Sequence, residues 1–79
     1  RGTSIRFELP RAAAARLTVH DVGGRLVRTL VNASLPAGRN QVYWDGTDEK
    51  GRRLPAGLYS YRVEAEGASS TRTLVLLSK

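Results

Sequence analysis

The sequence predicts an all-β fold, a single antiparallel β-sandwich over residues 1–79, and three observations predict it. Apolar and polar residues alternate in short runs, as Ile5, Phe7 and Leu9 do against Arg6 and Glu8. That period of two marks a strand with one buried face. Turn residues break the chain at intervals of about ten residues, as in sandwiches. The third observation is an aromatic seam within residues 42–61, which hold the only tryptophan and all three tyrosines. Val42 and Trp44 share one strand face, and Tyr59, Tyr61 and Val63 share a face of a later strand. The Gly-rich charged loop between them can fold the second strand back toward the first.

Residues 5–9 form the first strand, ended by Pro10. Residues 11–16 enclose four alanines; they are too short for a stable helix and are expected to be a loop. Leu17 and Val19 alternate with Thr18 and His20 in a second strand, and Asp21-Val22-Gly23-Gly24 supplies a turn. Residues 26–31 make a third strand that is apolar on both faces. Residues 32–39 read as a loop containing Leu35-Pro36-Ala37-Gly38. Residues 41–45 are the fourth strand, with Val42 and Trp44 inward. Asp45-Gly46 and Lys50-Gly51 bracket a polar turn. Leu54-Pro55-Ala56-Gly57 repeats the earlier word, and each copy leads into a strand carrying aromatics. Residues 58–66 are the clearest strand, residues 67–70 a turn, and residues 71–77 the last strand.

A chain of 79 residues makes one domain with a modest core. Forty-one per cent of residues are hydrophobic, too many for a disordered chain. There are no cysteines, so no disulfide staples the fold. No apolar run approaches the ~20 residues of a membrane span. The start at Arg1, without methionine, predicts a piece of a longer protein. The net charge is +6, and eleven of the thirteen basic residues are arginine. Such a surface attracts polyanions in principle. The arginines are scattered, however, with Arg52-Arg53 the only adjacent pair, and the aromatics point inward. Specific nucleic-acid binding is therefore not expected.

No residue set looks catalytic, and no cofactor is expected. His20 is the only histidine, on the outward parity of its strand, with no second histidine or cysteine to share a metal. A Ser-His-Asp triad has no nucleophile elbow to carry it. Asp45, Asp48 and Glu49 crowd one loop and are the weak metal candidates. Their spacing is not that of an EF-hand, and Asp and Gly are ordinary turn residues.

Four words in order, IRFELP, LTVHDVGGRLVRTL, LPAGRNQVYWDGTDEKGRRLPAGLYSYRVEA and TRTLVLLSK, resemble the FlgD-like immunoglobulin-like domain, which occurs in the flagellar hook-capping protein. Relatives of that domain sit at the C-terminus of many secreted bacterial proteins, including type IX secretion sorting domains. The most specific words are Trp44-Asp45-Gly46 followed by Gly51, Pro55, Gly57, Tyr59 and Tyr61. The resemblance implies a seven-stranded immunoglobulin-like sandwich and no catalysis. It implies a role in export, surface attachment or assembly. The alanine run at residues 12–15 is longer than the family's turn.

Apolar residues on both faces of two strands suggest a contact surface. Leu26 and Leu30 on the third strand, and Leu74 and Leu76 on the last, are the candidates. The last strand is expected to send Val75 and Leu77 into the core. The expected partners are other protein domains or further copies of the chain. The expected role is an extracellular or cell-surface module at the C-terminus of a secreted protein. The alternative is a subunit of an extracellular filament or tube released from a precursor, with a calcium- or polyanion-binding module more distant.

Overall fold

The computed structural model describes residues 2–77; Arg1, Ser78 and Lys79 lie outside the described residues. Six strands follow one another: β1 (Thr3–Leu9), β2 (Ala13–His20), β3 (Leu26–Leu35), β4 (Gly38–Trp44), β5 (Gly57–Ala65) and β6 (Ala68–Leu76). They form two sheets, one of β1 and β4, the other in the order β3-β2-β5-β6. Every paired neighbour is antiparallel. The fold is therefore the expected all-β antiparallel sandwich. The seventh strand implied by the family resemblance is not found among the described residues. Residues 45–56, between β4 and β5, make only one isolated bridge, Thr47 with Arg53. Their Asp, Gly and Pro residues close turns instead of extending the chain.

One core joins the sheets. Ile5, Leu9 and Trp44 come from the smaller sheet; Ala15, Leu17, Val19, Tyr59, Val63 and Leu76 come from the larger. Phe7, Val42, Tyr61 and Leu74 pack at its margin. Alternation along β1 and β5 produces this inward set directly.

Several boundaries differ from the sequence reading. The expected loop at residues 11–16 is mostly strand, because Ala15 pairs with Ala33 on one side and Ala65 on the other. Pairing on both sides overrides the weak strand preference of alanine. The expected loop at residues 32–39 shrinks to Pro36 and Ala37, and the expected turn at residues 67–70 to Glu66-Gly67. Each Leu-Pro-Ala-Gly word ends on the first residue of a strand, Gly38 of β4 and Gly57 of β5.

β3 is apolar on both sides for a reason that periodicity hides. Leu17 pairs with Val31 but Thr18 with Thr29, so Leu30 is an extra residue. Val19 pairs with Arg28 but His20 with Leu26, so Val27 is another. Each bulge inserts one residue and reverses the side-chain parity. Val27, Leu30 and Val31 consequently all pack against the core.

The parity expected for β6 is reversed. Leu76 is 2% exposed and Leu74 is half-buried, while Val75 is 55% exposed. Leu74 pairs with Tyr59, and Arg72 with Tyr61. Paired residues share a face, so once Tyr59 and Tyr61 turn inward, Leu74 and Leu76 must follow.

Candidate interaction surface

Two turns at one end of the sandwich are built alike. Residues 21–25 read Asp-Val-Gly-Gly-Arg, and residues 48–52 read Asp-Glu-Lys-Gly-Arg. In the first, the Asp21 N–H donates to the Arg25 carbonyl and the Gly24 N–H to the Asp21 carbonyl, both at 2.9 Å. In the second, the Asp48 N–H donates to the Arg52 carbonyl at 2.9 Å and the Gly51 N–H to the Asp48 carbonyl at 3.0 Å. Asp21 Oδ1 accepts the N–H groups of Gly23 and Arg25; Asp48 Oδ1 accepts those of Lys50 and Arg52. Each aspartate also pairs with the arginine four residues on, Arg25 at 3.5 Å and Arg52 at 3.2 Å. Gly24 and Gly51 hold φ of 89° and 80°, a region where a Cβ is penalised.

The donated N–H of Arg25 holds the Asp21 carboxyl below its ordinary pKa, and that of Arg52 does the same for Asp48. The Thr47 hydroxyl is the main cause of a lowered pKa at Asp45. Each group is stabilised as the carboxylate by hydrogen bonds to its charged form.

A second web ties the residue 45–56 loop to β3. Arg28 Nη1 donates to the Thr47 hydroxyl and to the Asp48 carbonyl at 3.1 Å, and lies 3.7 Å from Asp45 Oδ1. The Glu49 N–H donates to the Val27 carbonyl at 3.2 Å, and the Glu49 carboxylate accepts the Thr29 N–H. The three metal candidates thus aim at different donors: Asp45 at Thr47 and Arg28, Asp48 at its own turn, Glu49 at β3. No group of three acidic, histidine or cysteine side chains placed to hold an ion occurs among the described residues. The web anchors the loop against residues 27–29 of β3.

The seam residues sit together. Trp44 is fully buried, with its ring centroid 5.4 Å from that of Tyr59 in an edge-on contact. Val63 is buried, and Val42 and Tyr61 are half-buried against the same core. Burial, with the Asp21 carboxylate as a lesser cause, pushes the Tyr59 phenol above its ordinary pKa.

The expected contact surface of Leu26, Leu30, Leu74 and Leu76 does not exist as a surface. The bulge draws Leu30 onto the core, the β6 register draws in Leu74 and Leu76, and only Leu26 remains exposed. The exposed apolar residues instead include Val22, Leu58 and Val75. Leu58 and Val75 are cross-strand partners on the outward face of β5 and β6. Val22, on the first twin turn, borders the same shallow hollow as Leu58, with Pro55 and Ala56. Leu58 was legible in the sequence, since Tyr59 inward puts Leu58 outward. Val75 was not, because residues 74–77 are apolar without a break. Nor was the tie of Arg28 to Thr47 and Asp48, nineteen and twenty residues away.

The fold and this surface define a six-stranded antiparallel sandwich with a pinned loop end and an exposed apolar patch. The family model of the FlgD Ig-like domain matches residues 1–69, and the chain belongs to that family. No curated protein matches it. Among solved structures it is similar to FlgD from P. aeruginosa, with a TM-score of 0.79 and 23% identity over 96% of this chain and 61% of that one. It is also similar to FlgD from Xanthomonas campestris, described as giving insights into the hook capping essential for flagellar assembly. There the TM-score is 0.73 and the identity 26%, over 95% of this chain and 56% of that one. The chain spans less than two thirds of either FlgD protein.

These matches correct the expected role and location. Both the family and the solved neighbours are FlgD, and one neighbour is tied to hook capping. An extracellular or cell-surface module of a secreted protein, for export or attachment, is not what the chain resembles. Nothing in the matches supports a released polymer subunit or a calcium- or polyanion-binding module.

Proposed function

We propose that the chain is a non-catalytic, protein-binding domain of a hook-capping assembly protein of the flagellum. The observation that carries this reading is the FlgD Ig-like match over residues 1–69. The structure supports it through what the surface offers. The carboxylates at the loop end are engaged in hydrogen bonds, and the exposed Val22, Leu58 and Val75 offer apolar surface of the kind that meets a protein. No helix among the described residues is long and apolar enough to cross a membrane.

Deletion of the codons for residues 1–79 from the gene of origin tests the reading. Cells are expected to lose hooks and swimming, with both restored by the intact gene in trans. Normal hooks in the deletion strain would contradict it.

A further inference from the structure

The larger sheet has two edges, β3 and β6. At β3 the residue 45–56 loop bonds the backbone of Val27 and Thr29 through Glu49, while no loop bonds the backbone of β6 among the described residues. β6 pairs without a slip to β5 along all nine residues and has no second strand neighbour among the described residues. It contains no proline, no glycine and one charge, Arg72. Natural sheets usually guard such an edge with charges, proline or a bulge. β1 carries Arg6 and Glu8, and β4 carries Arg39.

Arg72 decides what the edge accepts. Every other arginine on a strand has a side-chain partner: Arg6 has Gln41, Arg16 and Arg62 share Glu64, Arg28 has Asp45, and Arg39 has Glu8. Arg72 has none among the described residues. It also stands at the centre of the nine-residue strand. Two copies pairing antiparallel through full-length β6 would set Arg72 against Arg72, and like charges directly opposite are unfavourable. The edge is poorly matched to itself and well matched to a strand with a central carboxylate.

We propose that β6 captures an extended segment of a different protein by strand addition, with an acidic residue of that segment facing Arg72 and an apolar residue beside the exposed Val75. This rests on the protein-binding reading above and names the chemistry of its partner. Backbone hydrogen bonds hold such a segment, and alternate side chains select it.

The test uses the whole chain and two synthetic nine-residue peptides. One has glutamate at its centre, valine facing Val75, and threonine or serine elsewhere; the other has lysine for the glutamate. Binding is followed by NMR with amide exchange. The glutamate peptide is expected to bind saturably, to slow exchange in β6, and to bind roughly three- to tenfold tighter than the lysine peptide. Arg72→Glu is expected to invert that preference with the circular dichroism unchanged. Failure of both peptides to bind, or a preference that Arg72→Glu leaves in place, overturns the proposal. So does concentration-dependent sedimentation of the unmixed chain with β6 protected, which would make the occupant a second copy. If no peptide binds but deletion of residues 1–79 abolishes hooks, strand capture fails and the assembly role stands. If the peptide binds as expected and hooks persist, capture stands and the assembly role fails.

Discussion

The indole of Trp44 meets the ring of Tyr59 edge-on, 5.4 Å away at 71°, and the contact joins the two sheets. It also pins the loop between β4 and β5. Trp44 Nε1 donates to the Thr47 carbonyl at 3.0 Å, and the Tyr59 hydroxyl to the Pro55 carbonyl at 2.7 Å. The apolar bodies fill the core while the polar tips hold the loop at both ends. Trp44→Ala is expected to cost about 3–5 kcal/mol in denaturant unfolding, most of the stability of a small domain. Tyr59→Phe keeps the ring and loses one hydrogen bond, at a cost of about 0.5–1.5 kcal/mol. Equal losses from the two variants would contradict this division.

Neighbouring residues of β6 separate core from surface. Leu76→Ala is expected to cost about 2–5 kcal/mol, because Leu76 is buried among core side chains. Val75→Asp is expected to leave the melting temperature nearly unchanged, because Val75 faces solvent. The opposite order in thermal melts would restore the parity that the sequence suggested.

That parity shows where sequence reading stops. The seam was readable because Trp44, Tyr59 and Tyr61 stand at fixed parity among polar neighbours. Residues 74–77 offer no alternation, so only the register with Tyr59 places them. The two slips of β3 against β2 are set by partners in β2, not by β3 itself. The alanine run became strand through its neighbours on both sides. Of the site, the turn words of Asp21 and Asp48 were visible, but not that they fold alike. The patch of Val22, Leu58 and Val75 joins three separate segments, and no local pattern connects them.

Acid is expected to weaken the fold through three aspartates. Asp21, Asp45 and Asp48 titrate lower in the folded chain than their ordinary value of 3.8. A depressed folded pKa contributes stability above the unfolded pKa, and that stability is lost as pH falls through the folded value. The denaturation midpoint should therefore hold at neutral pH and drop as the pH falls below about 4. Asp48→Asn keeps an oxygen acceptor and removes the charge, so its midpoint should fall less steeply with acid. An identical acid slope in the variant would remove Asp48 from this account.

The twin turns make a paired prediction. Gly24→Ala and Gly51→Ala each place a Cβ at positive φ and should each cost about 1 kcal/mol, read from urea unfolding. Nothing lies within 4 Å of the added Cβ at either position, so the cost is backbone strain alone and the two values should agree closely. A variant as stable as the parent would show that its turn relaxes to a different conformation.

The central claim is that the domain works by touching another protein through the outward face of β5 and β6. A photoreactive amino acid placed at Val75 in the full-length protein, in cells assembling hooks, tests it most directly. Ser4, exposed on β1 of the other sheet, is the control position. The account predicts a light-dependent adduct from position 75 with a protein of the hook-assembly apparatus, and little or none from position 4. Equal yields from the two positions, or no adduct from position 75, would contradict it.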